Sequence, residues 1–338
     1  MRILALVSRI IQQMLRDKRT LALLFLAPIL VLTLMYFIFN SDEVDLTIGV
    51  VGVNEHTIQT IKASNIDVKD YNQLSTKKAL DEKLDGWLEM KDGKLSLTLQ
   101  NDQPSRAKSL QLKLKQALSS NQQQVAPVSI DYVYGDKDTV LFDVISPILV
   151  TFFVFFFVFL IAGIALLKER TTGTLERLLT TPIRRSELVW GYLIGYGIFA
   201  CLQTLIVVFY AVKVLDVVLV GSIWHVLLIN LCVALVALSL GILLSSFASS
   251  EFQMVQFIPL VIVPQIFFTG LFPMDGMADW LVNIGRIMPL YYASDAITGV
   301  MYKGYGLQDT WIDLSVLIAF AFIFILLNIL SLKKYRTL

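Results

Sequence analysis

The amino-acid sequence predicts an α-helical polytopic membrane protein with six transmembrane helices and an extracytoplasmic α/β domain between helices 1 and 2. Hydrophobic residues make up 56% of its 338 positions, and the mean hydropathy is +0.69, well above the range of soluble domains. Several apolar runs reach the roughly 20 residues that a helix needs to cross a bilayer. One polar insertion, residues 40–140, interrupts these runs and is large enough for a core of its own.

The chain begins with an amphipathic segment, residues 1–19, whose apolar and polar side chains alternate with helical spacing. The apolar face holds Ile3, Val7, Ile10, Ile11 and Met14. The opposite face holds Arg9, Gln12, Gln13 and Arg16. This pattern predicts a helix that lies in the membrane interface. A plain cytoplasmic tail is the alternative interpretation.

Six apolar segments predict the membrane spans. They cover residues 20–39, 141–167, 187–212, 223–247, 252–272 and 311–332. Lysine and arginine residues cluster before the first span, between the second and third, and in the tail at 333–338. Because cytoplasmic loops carry an excess of these residues, we expect a multi-pass protein of the cell membrane with both termini in the cytoplasm. The stretch 273–309 is then external.

The insertion at 40–140 alternates strand and helix patterns. We expect strands at 46–53, 86–90, 94–99 and 128–134, and helices at 55–63, 76–84 and 104–118. The second and third strands flank Asp92 and Gly93, a strong hairpin signal. The segment has no glycine-rich phosphate cradle and no basic patch, so its role stays open between a structural cap and recognition of a substrate or an envelope partner.

A short charged run, residues 168–186, separates the second and third spans. Leu175, Leu178 and Leu179 lie at positions i, i+3 and i+4 and therefore share one helix face. Gly173 loosens the backbone before this helix, and Pro182 ends it. An amphipathic helix with a fixed start and end is typical of a segment that docks on another protein.

Residues 169–182 read E-R-T-T-G-T-L-E-R-L-L-T-T-P and resemble the signature of the ABC-2 type membrane subunits of ABC exporters. A second stretch, F-T-G-L-F-P-M-D-G-M-A-D-W-L at 268–281 followed by M-P-L-Y-Y at 288–292, resembles the pattern that precedes the last span in that family. Ala278 stands where a proline is usual. The resemblance covers nearly the whole chain. It implies the type V exporter fold, with short re-entrant helices at 273–309.

The resemblance also implies that 168–186 is the coupling helix, which sits on a nucleotide-binding subunit. The residues expected to couple the two subunits are Glu169, Arg170, Gly173, Thr174, Leu175, Glu176, Leu178, Leu179 and Pro182. The three leucines would insert into a groove of the ATPase. The charged side chains would fix orientation and register, since charges at the rim of an interface give specificity more than affinity.

Motifs for catalysis are missing from the sequence. There is no G-x-x-x-x-G-K-[ST] phosphate-binding loop, no G-x-S-x-G nucleophile motif, and neither His56 nor His225 has metal-ligand spacing. We therefore expect a non-catalytic subunit without a cofactor of its own, with ATP and Mg²⁺ bound by the partner ATPase. The net charge of +1 gives no sign of nucleic-acid binding.

Two spans carry candidate substrate-path residues. The candidates are Phe153 and Phe156 in span two, and Gln253, Gln256, Pro259 and Gln265 in span five. Polar groups inside a bilayer need partners, which favours a kinked helix beside a path. Lipid-facing bulk for the phenylalanines, and hydrogen bonding between helices for the glutamines, are the alternatives.

The function we expect is export of a lipophilic drug, antibiotic, peptide or lipid. The permease would pair with a second copy or a paralogue, contact membrane lipid, and bind an ABC ATPase under each coupling helix. The resemblance favours drug or antibiotic export, because family members with an external domain after span one often perform it. The alternative is a membrane receptor whose external domain senses a ligand and signals inward.

Overall fold

The computed structural model describes residues 2–39, 46–64, 66–72, 74, 76–82, 84–91, 94–99, 110–115, 117, 141–272 and 278–332. The chain forms two compact units. The first joins Met1–Asn40 to Tyr132–Leu338, and the second is Ser41–Asp131.

The helices are as follows, in chain order. They are α1 (Arg2–Arg16), α2 (Lys18–Phe39), α3 (Glu55–Lys62), α4 (Thr76–Asp81), α5 (Leu141–Thr171), α6 (Thr174–Leu179), α7 (Arg185–Lys213), α8 (Ile223–Ser245), α9 (Glu251–Phe257), α10 (Val263–Ile266), α11 (Asp279–Gly285), α12 (Pro289–Met301) and α13 (Leu307–Ser331). A π-helical segment, Ile258–Ile262, joins α9 to α10. All except α3 and α4 belong to the first unit.

Helices α5 and α8 form the centre of the first unit, and α7, α12 and α13 pack around them. The approach of α5 to α8 depends on Gly241. A Cβ atom at this position would lie 2.5 Å from the carbonyl oxygen of Phe159. Small residues allow membrane helices to approach closely, so Gly241 sets the distance between the two central helices.

Five helices among the described residues are long and apolar enough to cross a membrane. They are Lys18–Ile38, Phe142–Thr171, Arg185–Lys213, Ile223–Ser245 and Leu307–Ser331. The fifth predicted span, 252–272, is not one long helix. Its helical part is Glu251–Ile266, shorter than a usual span, and a π-turn interrupts it. Pro259 and Pro264 lie in this part and cannot donate backbone hydrogen bonds, which accounts for the break.

Between this broken helix and α13, the structure describes two helices, α11 and α12. Helix α12 is the larger and packs against α5, α8 and α13. Its last turn accepts hydrogen bonds from the loop after α7, with Val220 N 2.9 Å from Met301 O and Gly221 N 3.0 Å from Val300 O. The α7–α8 loop and the end of α12 therefore lie at the same end of the bundle. Residues 273–277 and the tail at 333–338 lie outside the described residues.

The second unit contains a four-stranded sheet. Its strands are β1 (Leu46–Val51), β2 (Ile66–Tyr71), β3 (Gly86–Lys91) and β4 (Lys94–Leu99). In the order β2-β1-β3-β4, β1 runs parallel to β2 and β3, while β3 and β4 are antiparallel. Its core includes Leu46, Ile48, Val50, Ile61, Leu88 and Leu110.

Most predicted elements of the insertion are present where the structure describes them. The hairpin forms, with Lys91 opposite Lys94, a register that fits a two-residue turn. Residues 110–115 of the predicted helix at 104–118 are helical. Strand β2 was not predicted, because its alternating charges resemble a solvated loop. The strand predicted at 128–134 lies outside the described residues.

Candidate functional site

The segment predicted to be a coupling helix folds as a short helix between two sharp turns. Helix α5 extends to Thr171, and α6 covers only Thr174–Leu179. Between them Gly173 adopts φ 71°, in the left-handed region that favours glycine. After α6, Arg184 N donates to the Glu187 carboxylate over 2.7 Å and starts α7. The boundaries of the helix are therefore set by Gly173 and by this N-terminal cap.

The apolar face of α6 packs on its own chain. Leu175 is only 1% exposed and belongs to the main hydrophobic core, while Leu178 and Leu179 are half-buried against that core. This corrects the expectation that Leu175 inserts into a partner. The exposed residues are Glu176 and Arg177 on the helix. Any partner that reaches α6 from outside meets these charges first.

Glu169 also differs from its expected role as a charge that orients a partner. It is 2% exposed, and Arg9 Nη2 donates to its Oε1 over 2.9 Å and to its Oε2 over 2.7 Å. The Tyr192 hydroxyl donates to the same carboxylate. Burial alone would lower the pKa of Arg9, but the charge and hydrogen bonds of Glu169 outweigh it and leave that pKa raised. Glu169 therefore joins α1, α5 and α7.

Arg170 is likewise directed into the chain. Its Nη1 donates to the carbonyl oxygens of Ser245 and Ala248, the latter over 3.0 Å. These carbonyls lie at the end of α8, where helices leave acceptors without intrahelical partners. Arg170 thus fixes α5 to the C-terminal end of α8.

Helix α1 packs on α7 through two glycines. A Cβ atom at Gly191 would lie 3.0 Å from Leu6, and one at Gly195 would lie 2.9 Å from Ile10. The four-residue spacing of the glycines matches that of the two apolar side chains on α1, so the helices meet along one face. The sequence carries this signal in G-Y-L-I-G at 191–195, because two small residues four positions apart allow close helix packing.

Both ends of α1 reach the segment 168–186. Near its start, Arg2 Nη1 donates to the carbonyl of Pro182 and lies 3.8 Å from the Glu187 carboxylate. Just beyond its end, Asp17 lies 3.7 Å from Lys168 Nζ. With the Arg9–Glu169 pair between them, these contacts join α1, the end of α5, α6 and the start of α7 into one assembly, which we call the α1–α6 junction.

The candidate path residues divide into two groups. Gln256 and Pro259, on the broken helix, are exposed, whereas Phe153 and Phe156, on α5, are half-buried. Their rings join a row of phenylalanines, with Phe152 and Phe156 stacked at 5.9 Å. Because Gln256 is exposed, the face of α9 that carries it can contact lipid or another chain.

The two other glutamines satisfy backbone groups of this chain. The Gln253 side chain accepts hydrogen bonds from Ser249 N and Oγ, each over 2.7 Å. Gln265 is 3% exposed, donates to Val261 O over 2.9 Å and accepts from Leu290 N over 3.4 Å. Gln265 thus caps the start of α12, which corrects the expectation that it faces a path.

Comparison with known proteins identifies the family to which the chain is similar. A family model described as ABC-2 family transporter protein matches residues 18–330. The chain is 27% identical over 205 residues to ABC transporter G family member 20 of Dictyostelium discoideum, covering 60% of this chain and 28% of that protein. It is 28% identical over 177 residues to Inner membrane transport permease YhhJ of Escherichia coli, covering 52% and 47%.

A further relative is Probable multidrug ABC transporter permease YbhS of Escherichia coli, 26% identical over 211 residues, which cover 62% of this chain and 53% of the relative. The chain spans between 28% and 53% of the length of these three proteins. The family model matches almost the whole chain, and the apolar helices and the segment around α6 fit that match. The chain belongs to the ABC-2 family of transporter permeases.

Proposed function

We propose that this chain is the transmembrane subunit of an ATP-binding cassette exporter. It moves a lipophilic drug, antibiotic, peptide or lipid out of the cell, and a separate nucleotide-binding subunit hydrolyses the ATP. The observation that carries this proposal is the α1–α6 junction. It presents the exposed charges Glu176 and Arg177, while Leu175 of α6 is buried in the core and α6 packs on α5.

The construction of the junction suits the transfer of movement. A docking helix attached by a flexible loop would move without displacing the spans. Here Leu175 is in the core, and Arg9 and Glu169 bind across elements that lie far apart in sequence. A partner that pushes on α6 therefore also pushes on α5 and α7. This is the rigid-body connection that alternating access needs.

A second permease chain, identical or paralogous, completes the transporter in this proposal. The exposed side of the broken helix supports it, since this side carries large apolar side chains next to Gln256. They are Phe252, Leu260, Val263 and Phe267. A path between two chains along this side would be apolar, which suits a lipophilic substrate better than a small ion.

Docking on α6 is tested by co-purification of the chain with its ATPase. Glu176→Lys reverses an exposed charge, and a mispaired charge at an interface weakens binding by about tenfold or more. Glu55→Lys is the matched control, because Glu55 is also exposed but lies on α3 in the second unit. Retention of the ATPase by the Glu176 variant at the wild-type level would show that α6 is not the docking site.

The path is tested by Gln256→Leu. If Gln256 faces the substrate, this substitution changes which lipophilic compounds are exported and leaves assembly intact. If Gln256 instead holds helices together, export of all compounds falls in proportion to the yield of folded complex. Export of several compounds is measured beside the melting temperature of the complex, and a uniform fall that follows assembly rejects the path.

A further inference from the structure

One cavity in the first unit is separate from the exposed face of α6. It has a volume of about 740 Å³ and lies where the end of α1, the start of α2, the last turns of α5 and the first residue of α9 meet. Its wall is apolar and includes Leu23, Ile161, Ile164 and Ala165. This size and lining are typical of a site for a small organic ligand.

The mouth of the cavity is charged. Arg16, Arg19 and Lys168 line it together with the carboxylates of Asp17 and Glu251. All except Asp17 are exposed. The cavity thus combines an apolar interior with a charged entrance, which matches an amphiphile better than a uniformly apolar compound.

Asp17 is already committed to contacts within the chain. Its carboxylate accepts from Thr20 N over 3.2 Å and from Thr20 Oγ1 over 2.9 Å, and it lies 3.7 Å from Lys168 Nζ. The hydrogen bonds from Thr20, with the charge of Lys168, lower the pKa of Asp17 and keep it ionised. Lys168 is therefore partly neutralised by Asp17.

Arg16 and Arg19 differ from Lys168 in this respect. Among the described residues neither forms an ion pair, although Glu251 lines the same cavity. One guanidinium belongs to the last turn of α1 and the other to the first turn of α2, so the corner between the helices places both at the mouth. Two arginines beside an apolar wall suit a ligand with a phosphate head.

We propose that this cavity binds an anionic phospholipid of the cytoplasmic leaflet, with its phosphate at Arg16 and Arg19 and an acyl chain along Leu23 and Ile164. The basic segments at 1–19 and 168–186 place the mouth at the cytoplasmic surface by the positive-inside rule. Basic pockets between membrane helices are known to hold lipid head groups. The lipid is a bound regulator of the corner between α1 and α2, so the proposal does not depend on what the transporter exports.

The test measures lipid binding to the purified full chain. The chain in neutral detergent is titrated with phosphatidylglycerol or phosphatidylcholine, and binding is followed by native mass spectrometry and by the melting temperature. We expect phosphatidylglycerol to bind about tenfold more tightly and to raise the melting temperature. Equal binding of the two lipids overturns the proposal.

Charge variants locate the site. Arg16→Gln and Arg19→Gln should each weaken phosphatidylglycerol binding by about fivefold. Lys18→Gln is the matched control, since Lys18 lies between them, is exposed and does not line the cavity. It should change the affinity by less than about twofold. The same loss in all three variants indicates general surface charge and contradicts a specific site.

Two further measurements are needed. One tests whether the apolar interior of the cavity, and not only its charged mouth, contributes to binding, and the other tests whether the ligand is a lipid or a free anion. Ala165→Phe fills the cavity without changing a charge and should abolish phosphatidylglycerol binding. Its melting temperature without lipid should stay near that of Arg16→Gln, which shows that the variant is folded. Glycerol phosphate, which has the head group charge without the chains, should not displace the lipid. Unchanged binding in the Ala165 variant, or displacement by glycerol phosphate at concentrations similar to those of the lipid, rejects the lipid site.

Discussion

At the residue scale, Glu169 shows how a charge near the membrane is held in place. A buried carboxylate costs several kcal/mol unless charged and polar donors surround it. Arg9 and Tyr192 supply these donors from two other helices. The pair connects α1 to α5 across 160 positions of sequence, so its loss affects the junction and not only one helix.

This arrangement predicts a strong coupling energy between Arg9 and Glu169. Glu169→Leu leaves Arg9 without its counterion and should lower stability by roughly 2 kcal/mol, near the value for hydrogen bonds to charged groups, because Arg9 is 31% exposed and regains water. Arg9→Leu should cost at least as much, since Glu169 is fully enclosed. Unfolding of both single variants and the double variant in mixed micelles gives the coupling. Additive effects would mean that the two side chains do not stabilise each other.

The sequence identified the segment that contains Glu169 but not the direction of its side chains. Residues 169–182 were recognised from the family pattern, and spacing placed the three leucines on one face. Whether such a face meets a partner or its own chain depends on contacts with α1 and α7, which are distant in sequence. The burial of Leu175 and of Glu169 was therefore beyond the reach of local patterns.

At the element scale, α1 depends on glycines in α7. The amphipathic pattern predicted a helix at the start of the sequence, and the structure has α1 there with its apolar face packed on α7. Its place in the membrane interface stays a prediction. An amphipathic face alone does not distinguish lipid from protein as its neighbour. The glycines at 191 and 195 make the difference, because they remove the side chains that would keep α1 away.

Gly195→Ala should therefore displace α1 and destabilise the protein by about 1–3 kcal/mol, the cost of adding a methyl group to a packed site. Gly197→Ala is the control on the same helix, where the new Cβ would meet Leu238 at an ordinary 3.7 Å. It should be neutral or stabilise by less than about 1 kcal/mol through helix propensity. Thermal unfolding of both variants checks this, and equal effects would contradict the packing account.

The broken helix shows the limit of hydropathy at this scale. An apolar run at 252–272 predicts one continuous span. Pro259 and Pro264 interrupt the backbone hydrogen bonds of an α-helix, and the backbone between α9 and α10 forms a π-helical turn instead. The prolines were visible in the sequence. The break in the helix could not be predicted from them. A proline either kinks a helix or ends it, depending on whether neighbouring helices such as α12 satisfy the backbone carbonyl groups that lose their hydrogen bonds.

At the scale of the whole molecule, the charge distribution predicts the orientation. The segment 168–186 lies at the start of α7 and the α7–α8 loop follows its end, so the two are at opposite ends of that helix. The side of the membrane that each of them occupies stays a prediction. The side occupied by the second unit stays a prediction. Composition and family pattern together anticipated most of the architecture, because membrane spans are determined by local apolar content.

Cysteine labelling tests this orientation. In a background with Cys201→Ser and Cys232→Ser, a membrane-impermeant thiol reagent should label Gln59→Cys in intact cells, since α3 is predicted to be external. It should label Thr180→Cys, at the end of α6, only after permeabilisation. Both positions are exposed, so lack of labelling reports the membrane barrier. The reverse pattern would invert the topology.

If a separate ATPase drives export through α6, ATP-dependent uptake into inside-out vesicles must depend on the charges that α6 exposes. Vesicles containing the chain and its ATPase are supplied with a panel of fluorescent lipophilic compounds. The wild type and Glu55→Lys should accumulate at least one compound when ATP is added, and Glu176→Lys should do so at least about tenfold more slowly at an equal amount of chain. Wild-type uptake by the Glu176 variant, or ATP hydrolysis by the wild-type complex without accumulation of any compound, would contradict the account.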